Sequence, residues 1–204
     1  MELYYSPGAC SLAPHIVSRE AGLPVELIKV DLGARKTEKG EDYLSINSKG
    51  YVPAVRLDNG EVMTEVATLL QYLADQKPQS NLIPAFGTPE RYRAMEWLTF
   101  IGSEIHKGFG PLWDPKISAD AKAAIKGKLG LRLKWLDREL EGRDYLAGKQ
   151  FSVADAYAFT VLNWASMLDV DLKPYPNIRA FMERIAARPK VKEAMRAEGL
   201  LKAA

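Results

Sequence analysis

Strand-like patterning in this chain stops at a run of turn formers, Lys77-Pro78-Gln79-Ser80-Asn81 through Gly87-Thr88-Pro89, and does not return. Everything beyond that run carries the apolar spacing of helices, so no later segment can supply a strand to a sheet begun before it. The switch therefore demands two separately built regions. At 204 residues the chain is long enough to bury a core in each. We place one domain over residues 1–77, a linker over 78–87 and an all-helical domain over 88–204.

The first region alternates. Residues 2–5 read as a strand and 11–21 as a helix that Gly22 ends, followed by a second strand over 25–30. The Lys- and Glu-rich stretch 35–44 reads as a short polar helix or a loop. Val52-Pro53-Ala54-Val55-Arg56-Leu57 then passes through Asp58-Asn59-Gly60 into Glu61-Val62-Met63, a hairpin whose turn residues are explicit. A helix over 66–76 completes βαβ followed by ββα, a mixed four-stranded sheet. The second region shows helical periodicity over 90–111, 119–141, 153–169, 177–187 and 189–197. Ser152-Val153-Ala154-Asp155 has the form of a capping box, with Phe151 placed to staple it.

Composition narrows the function. A net charge of +2, with basic and acidic residues interspersed, gives no general reason to expect nucleic acid or a membrane surface. No stretch approaches the roughly 20 apolar residues of a membrane span, and the first residues have neither a basic region nor a cleavable apolar run, so a cytoplasmic protein is expected. Two histidines, His15 and His106, are too few for a metal site, and one cysteine excludes an internal disulfide framework. That cysteine, Cys10, ends the run Leu3-Tyr4-Tyr5-Ser6-Pro7-Gly8-Ala9-Cys10, where an apolar strand breaks at a Pro-Gly turn and a helix pattern starts. A lone cysteine is commonly a small, inert, buried residue. The strand–turn–helix setting shifts the reading toward sulfur chemistry, because N–H groups and the positive dipole end of a helix favour a thiolate. Ala13 stands where a CxxC motif needs its second cysteine, so redox work at Cys10 needs a thiol from outside the chain.

These motifs resemble the cytosolic glutathione transferase superfamily. The opening Tyr4-Tyr5-Ser6-Pro7-Gly8-Ala9-Cys10-Ser11-Leu12, the loop Gly50-Tyr51-Val52-Pro53-Ala54, the helix start Thr64-Glu65 and Glu104-Ile105-His106-Lys107-Gly108-Phe109 are similar to its bacterial beta class, over essentially the whole chain. The resemblance implies a thioredoxin-like N-terminal domain joined to a helical bundle. It also implies a glutathione site in which Pro53 follows a cis bond and Val52 offers its backbone to the cysteinyl part. Glu65 then binds the γ-glutamyl ammonium and the Val66 N–H its carboxylate, while Arg35, beside Lys36, meets the glycyl carboxylate. Val66 stands where relatives often carry serine or glycine, so no hydroxyl contributes there. His106 is implied to face Cys10 across an interdomain cleft, with Lys107 adding positive potential. From the neighbouring subunit of a homodimer, Thr99, Ser103 and Glu104 approach the γ-glutamyl end, Thr99 replacing the usual asparagine. Tyr5 and Trp164 are assigned to the electrophile site. Without the fold, His106 and Trp164 read equally as structural residues of a helical core, and Arg35 as a solvated surface charge; His15 is left as a packing or surface residue.

The function expected is conjugation of reduced glutathione to small apolar electrophiles, without a metal and without a nucleic-acid or membrane partner. Cys10 is expected to be able to form a mixed disulfide with glutathione. Two other readings stay open: a glutathione-dependent thiol-disulfide reductase using Cys10 as nucleophile, and a binding or regulatory protein that keeps the fold without the activity.

Overall fold

The structure, a computed structural model, describes residues 1–201. The chain divides into two compact units, Met1–Ile83 together with the segment that begins at Arg188, and Pro84–Ala187.

In the first unit β1 (Glu2–Tyr5), α1 (Leu12–Ala21) and β2 (Glu26–Asp31) form the expected βαβ unit, with α1 ending at Gly22 in the left-handed conformation. The stretch 35–44, expected as a polar helix or loop, is mostly turn and opens the short α2 (Tyr43–Ile46), but it also carries β3 (Lys36–Thr37), a two-residue strand on the outer edge of β2. Then come β4 (Ala54–Arg56), β5 (Val62–Thr64) and α3 (Val66–Asp75). The sheet thus has five strands in the order β3-β2-β1-β4-β5 rather than four. A polar segment can pair at an edge because one side of an edge strand stays in water, which is why its composition gave no strand signal. Within the sheet β1 and β2 run parallel, and the other neighbours are antiparallel.

The pleat divides the core. Leu3 and Val55 pack with Leu69 of α3 on one face, while Tyr4, Ile28, Val30 and Ala54 pack with Tyr43 of α2 on the other. Adjacent residues of β1 and β4 thus serve opposite layers.

The second unit consists of α4 (Pro89–Phe100), a π-helical stretch Ile101–His106, α5 (Lys107–Phe109), a 3₁₀ turn Gly110–Trp113, α6 (Ala119–Glu139), α7 (Val153–Leu162), α8 (Trp164–Met167) and α9 (Pro176–Ala187). Thr88 and Ser118 cap α4 and α6 by accepting from the Arg91 and Ala121 N–H groups at 3.3 Å. Every residue of α7 is buried, so this helix is apolar nearly all round and is the unit's core element. Its capping box is formed as expected. Among the described residues no helix is long and apolar enough to cross a membrane.

The last helix, α10 (Pro189–Ala197), packs on α1. Residues 88–204 were expected to form one helical domain; the contacts of the chain after Arg188 lie instead with the first unit. Helical periodicity alone carries no information about which surface a helix covers.

Candidate functional site

In the first unit the turn after β1 is held at two points. Ser11 brackets Ser6, its Oγ accepting from the Ser6 N–H and donating to the Ser6 carbonyl, both at 3.2 Å. Gly8 adopts φ +73°, where a side chain is strained, and its N–H donates to Glu198 Oε2 at 2.9 Å. Cys10 emerges half-buried from this turn and donates its Sγ–H to the Val52 carbonyl at 3.1 Å. The bond between Val52 and Pro53 is cis. Residues 42 positions apart in sequence thus meet at one backbone carbonyl. Because α1 begins at Leu12, Cys10 precedes its cap, and the Leu12 and Ala13 N–H groups are taken by the Ala9 and Cys10 carbonyls. Those two donors are therefore not available to a thiolate, contrary to the simple helix-end argument.

The loop leading to the cis bond is fastened from behind. The Tyr51 carbonyl accepts from the Tyr43 hydroxyl and from Asn47 Nδ2, each at 2.7 Å. Burial, above all, pushes the Tyr43 hydroxyl up to about 12, so it stays a donor across the ordinary pH range. Arg35, itself at φ +57°, donates to the Gly50 carbonyl. Its guanidinium, expected on a glycyl carboxylate, here braces the loop; Lys36 lies beside it in β3. Glu65 is the residue before α3 and stands at φ +71°, ψ 119°, a strained backbone for any residue but glycine. Its exposed carboxylate pairs with Lys49 Nζ at 2.6 Å. Val66 opens α3, so its N–H lies in the first turn, where no intrahelical acceptor exists. Tyr5, at the end of β1, is buried with its ring 6.3 Å from that of His15.

His15 carries more than packing. It is buried, its Nδ1 bonds to Glu198 Oε1 at 2.8 Å, and its Nε2 accepts from Arg19 Nε at 2.7 Å. Arg19 donating to Nε2 leaves the proton on Nδ1, so the imidazole donates to the carboxylate. Glu198 thus receives both the ring and the Gly8 N–H, tying the end of α10 to the turn that carries Cys10. Sequence reasoning missed Glu198 altogether, and the only clue was an acid directly after a charged, amphipathic helix.

In the second unit the π-helical stretch carries Ser103, Glu104 and His106, and Lys107 comes directly after it. His106 Nδ1 lies 2.7 Å from the Tyr157 hydroxyl, and its ring meets Trp164 edge-on at 4.9 Å. Trp164 is buried and also touches Phe109 and Trp113, with centroids 6.1 and 6.0 Å away. Glu104 pairs with Arg132 at 2.6 Å. Ser103, Glu104 and Lys107 border a hollow of about 410 Å³ whose far wall is α6. Thr99 donates its hydroxyl to the Met95 carbonyl of its own helix at 2.9 Å and is exposed. Among the described residues no group of three or more His, Cys, Asp or Glu side chains could hold a metal ion.

Each unit has its counterpart among known families. The model of the glutathione S-transferase N-terminal domain matches residues 8–76, and that of the glutathione S-transferase C-terminal domain matches residues 94–189. Glutathione S-transferase GstA of Escherichia coli O157:H7 is 43% identical over 200 residues, covering 98% of this chain and 100% of its own. A sphingomonad glutathione S-transferase solved in complex with glutathione is 51% identical, with a TM-score of 0.95 over 98% of this chain and 100% of that one. The bacterial beta class glutathione S-transferase of Sphingomonas chungbukensis is 49% identical, with a TM-score of 0.96 over the same shares. Matched over 98% of its length by these relatives, the chain belongs to the glutathione S-transferase family and is a transferase with relatives in the bacterial beta class.

Proposed function

We propose that the protein binds reduced glutathione on its first unit and transfers it to small apolar electrophiles, with Cys10 able to exchange into a mixed disulfide. The observation that carries this reading is the meeting of Cys10 Sγ with the Val52 carbonyl at the cis Val52–Pro53 bond. An extended peptide laid along that loop pairs its own amide with the Val52 backbone, as an added strand does. This brings its cysteinyl sulfur to Cys10. Glu65 faces the γ-glutamyl ammonium, where its strained backbone is explained by a role in binding, and the Val66 N–H takes the adjoining carboxylate. Arg35 takes the glycyl carboxylate by exchanging its hold on the Gly50 carbonyl. His106 is assigned as an N–H donor to the reacting sulfur, Lys107 as positive potential, and Tyr5 and Trp164 as apolar surface for the electrophile. Thr99, Ser103 and Glu104 are assigned to the partner's site in a homodimer.

In conjugation the glutathione thiolate attacks the electrophilic carbon; a C–S bond forms and the leaving group departs with its electron pair. The thiol proton goes to solvent. Holding both reactants in register supplies most of the gain. In exchange, Cys10 thiolate attacks oxidised glutathione, forming the mixed disulfide and releasing one glutathione thiolate, so electrons balance without a further oxidant.

Titration calorimetry with reduced glutathione, followed by conjugation to a chloronitroarene, tests the reading in wild type and Cys10→Ala. Saturable binding at one molecule per subunit and conjugation in both proteins are expected, with a glutathionyl adduct by intact mass after oxidised glutathione in wild type alone. Absence of binding at millimolar ligand would overturn the site. Loss of all conjugation in Cys10→Ala alone would make Cys10 essential to transfer, whereas no conjugation in either protein, with the adduct still formed in wild type, would replace the transferase role by the reductase one.

A further inference from the structure

The π-helical stretch interrupts the helix that opens the second unit, and such stretches gather at functional sites. Its geometric effect is definite. One residue added to an α-helical turn rotates the later side chains by about 100° around the axis, so His106, at its end, points where a continuous α-helix would have aimed a neighbour. The residue it meets is Tyr157, in the middle of α7, which packs against this stretch.

Polar side chains on α7 are few: Asp155, Tyr157 and Thr160. Thr160 turns back on the Ala156 carbonyl and Asp155 serves the cap, whereas the Tyr157 hydroxyl reaches out of its helix to His106. Gly102 lies beside it, where an added Cβ would stand 3.5 Å from the hydroxyl oxygen, in ordinary van der Waals contact. The imidazole also packs against the Trp164 ring in a T-shaped contact. Ring plane and hydrogen bond are thus both specified.

We propose that Tyr157 is a positioning residue that fixes the tautomer of His106. A phenol is a stronger hydrogen-bond acid than a neutral imidazole N–H, and imidazole nitrogen is the stronger acceptor. The bond therefore runs from the Tyr157 hydroxyl to His106 Nδ1. A neutral imidazole that accepts at Nδ1 carries its proton on Nε2. His106 is thereby kept as an Nε2–H donor, the form suited to holding a sulfur anion, and is prevented from acting as a base through Nε2. The use made of that donor rests on the proposed role of His106 in transfer, but the tautomer itself does not.

The test is a long-range ¹H–¹⁵N spectrum of protein labelled at histidine. The chain has only two histidines, and His106→Gln identifies the second set of signals. Wild type is expected to show His106 protonated at Nε2, and Tyr157→Phe to show averaging of the two nitrogens toward a mixture. Conjugation by Tyr157→Phe is expected to fall about tenfold in kcat with KM for glutathione changed less than about twofold. A wild-type His106 protonated at Nδ1, or a tautomer unaltered by Tyr157→Phe, overturns the proposal; the wild-type spectrum decides even where the variant fails to fold. If the tautomer follows Tyr157 while His106→Gln retains full activity, the positioning stands and the donor role of His106 falls.

Discussion

Among the described residues each unit buries one carboxylate completely, and the two are held in opposite ways. Asp155 in the second unit sits in the first turn of α7, where the dipole favours an acid, and accepts from the Leu146 N–H, the Ser152 N–H and the Ser152 hydroxyl at 2.7–2.8 Å. Those partners lie 9 and 3 residues away. Glu198 in the first unit sits at the end of α10, where the dipole opposes an acid, and its partners His15 and Gly8 are 183 and 190 residues distant. The first carboxylate builds its own helix start. The second sacrifices local preference to fasten the Cys10 turn, and a buried acid placed against its helix dipole is for that reason the more informative of the two about function.

The largest expected effect falls on Asp155. Removing it in Asp155→Ala leaves buried donors unsatisfied and is expected to lower stability by about 3–5 kcal/mol, read from urea unfolding. Burial raises this carboxyl from 3.8 to about 6, against the pull of its hydrogen bonds. The folded state therefore holds the proton more tightly than the unfolded chain does. The contribution is complete below about pH 4 and is lost as pH rises through about 6. Unfolding free energy should fall across that window in wild type and lose this part of its slope in Asp155→Asn. Identical slopes in the two proteins would show that the cap carries no titration.

Glu198→Ala comes next, at about 2–4 kcal/mol, because it removes the carboxylate that accepts from the His15 ring and from the Gly8 N–H. The comparison is sharpened by alkylation: Cys10 is the chain's only cysteine, so iodoacetamide labelling reports that turn alone. Glu198→Ala is expected to change the labelling rate severalfold and Asp155→Ala to leave it unchanged under folding conditions. Equal changes in both would break the distinction drawn between the two carboxylates.

Gly50→Ala is the smallest of the three. The position has φ +68°, and an added Cβ would stand 2.5 Å from the Arg35 guanidinium, so about 1–2 kcal/mol of stability should be lost. Weaker glutathione binding by calorimetry should accompany it through displacement of Arg35. Unaltered affinity would remove Arg35 and its loop from the binding argument.

Local sequence was a sufficient guide wherever neighbours in the chain are neighbours in space. The capping box at Ser152, the Asp58-Asn59-Gly60 hairpin and the helix end at Gly22 were all legible, because each is satisfied by bonds spanning a few residues. The edge strand at Lys36–Thr37 was not, since a half-solvated strand needs no apolar alternation. Nor was the π-helical stretch, whose residues have ordinary helical spacing and whose register is decided by what packs against it. In the candidate site, Cys10, Val52, Pro53, Glu65 and His106 were legible as residue types in motifs. Arg35 bracing Gly50, Lys49 on Glu65, Glu198 on Gly8 and Tyr157 on His106 were invisible, for each joins segments that only folding brings together.

What the amino-acid order determined by itself was thus the change from strands to helices, the main strands and helices apart from the edge strand and the π-helical stretch, and the chemistry available in each, because periodicity, caps and turn residues act over one or two turns of chain. Tertiary structure alone decided where the last helix packs, which imidazoles meet which hydroxyls and carboxylates, and that Cys10 rests on the Val52 carbonyl. Those contacts depend on directions in space, set to within a fraction of an ångström by burial of layers far apart in sequence.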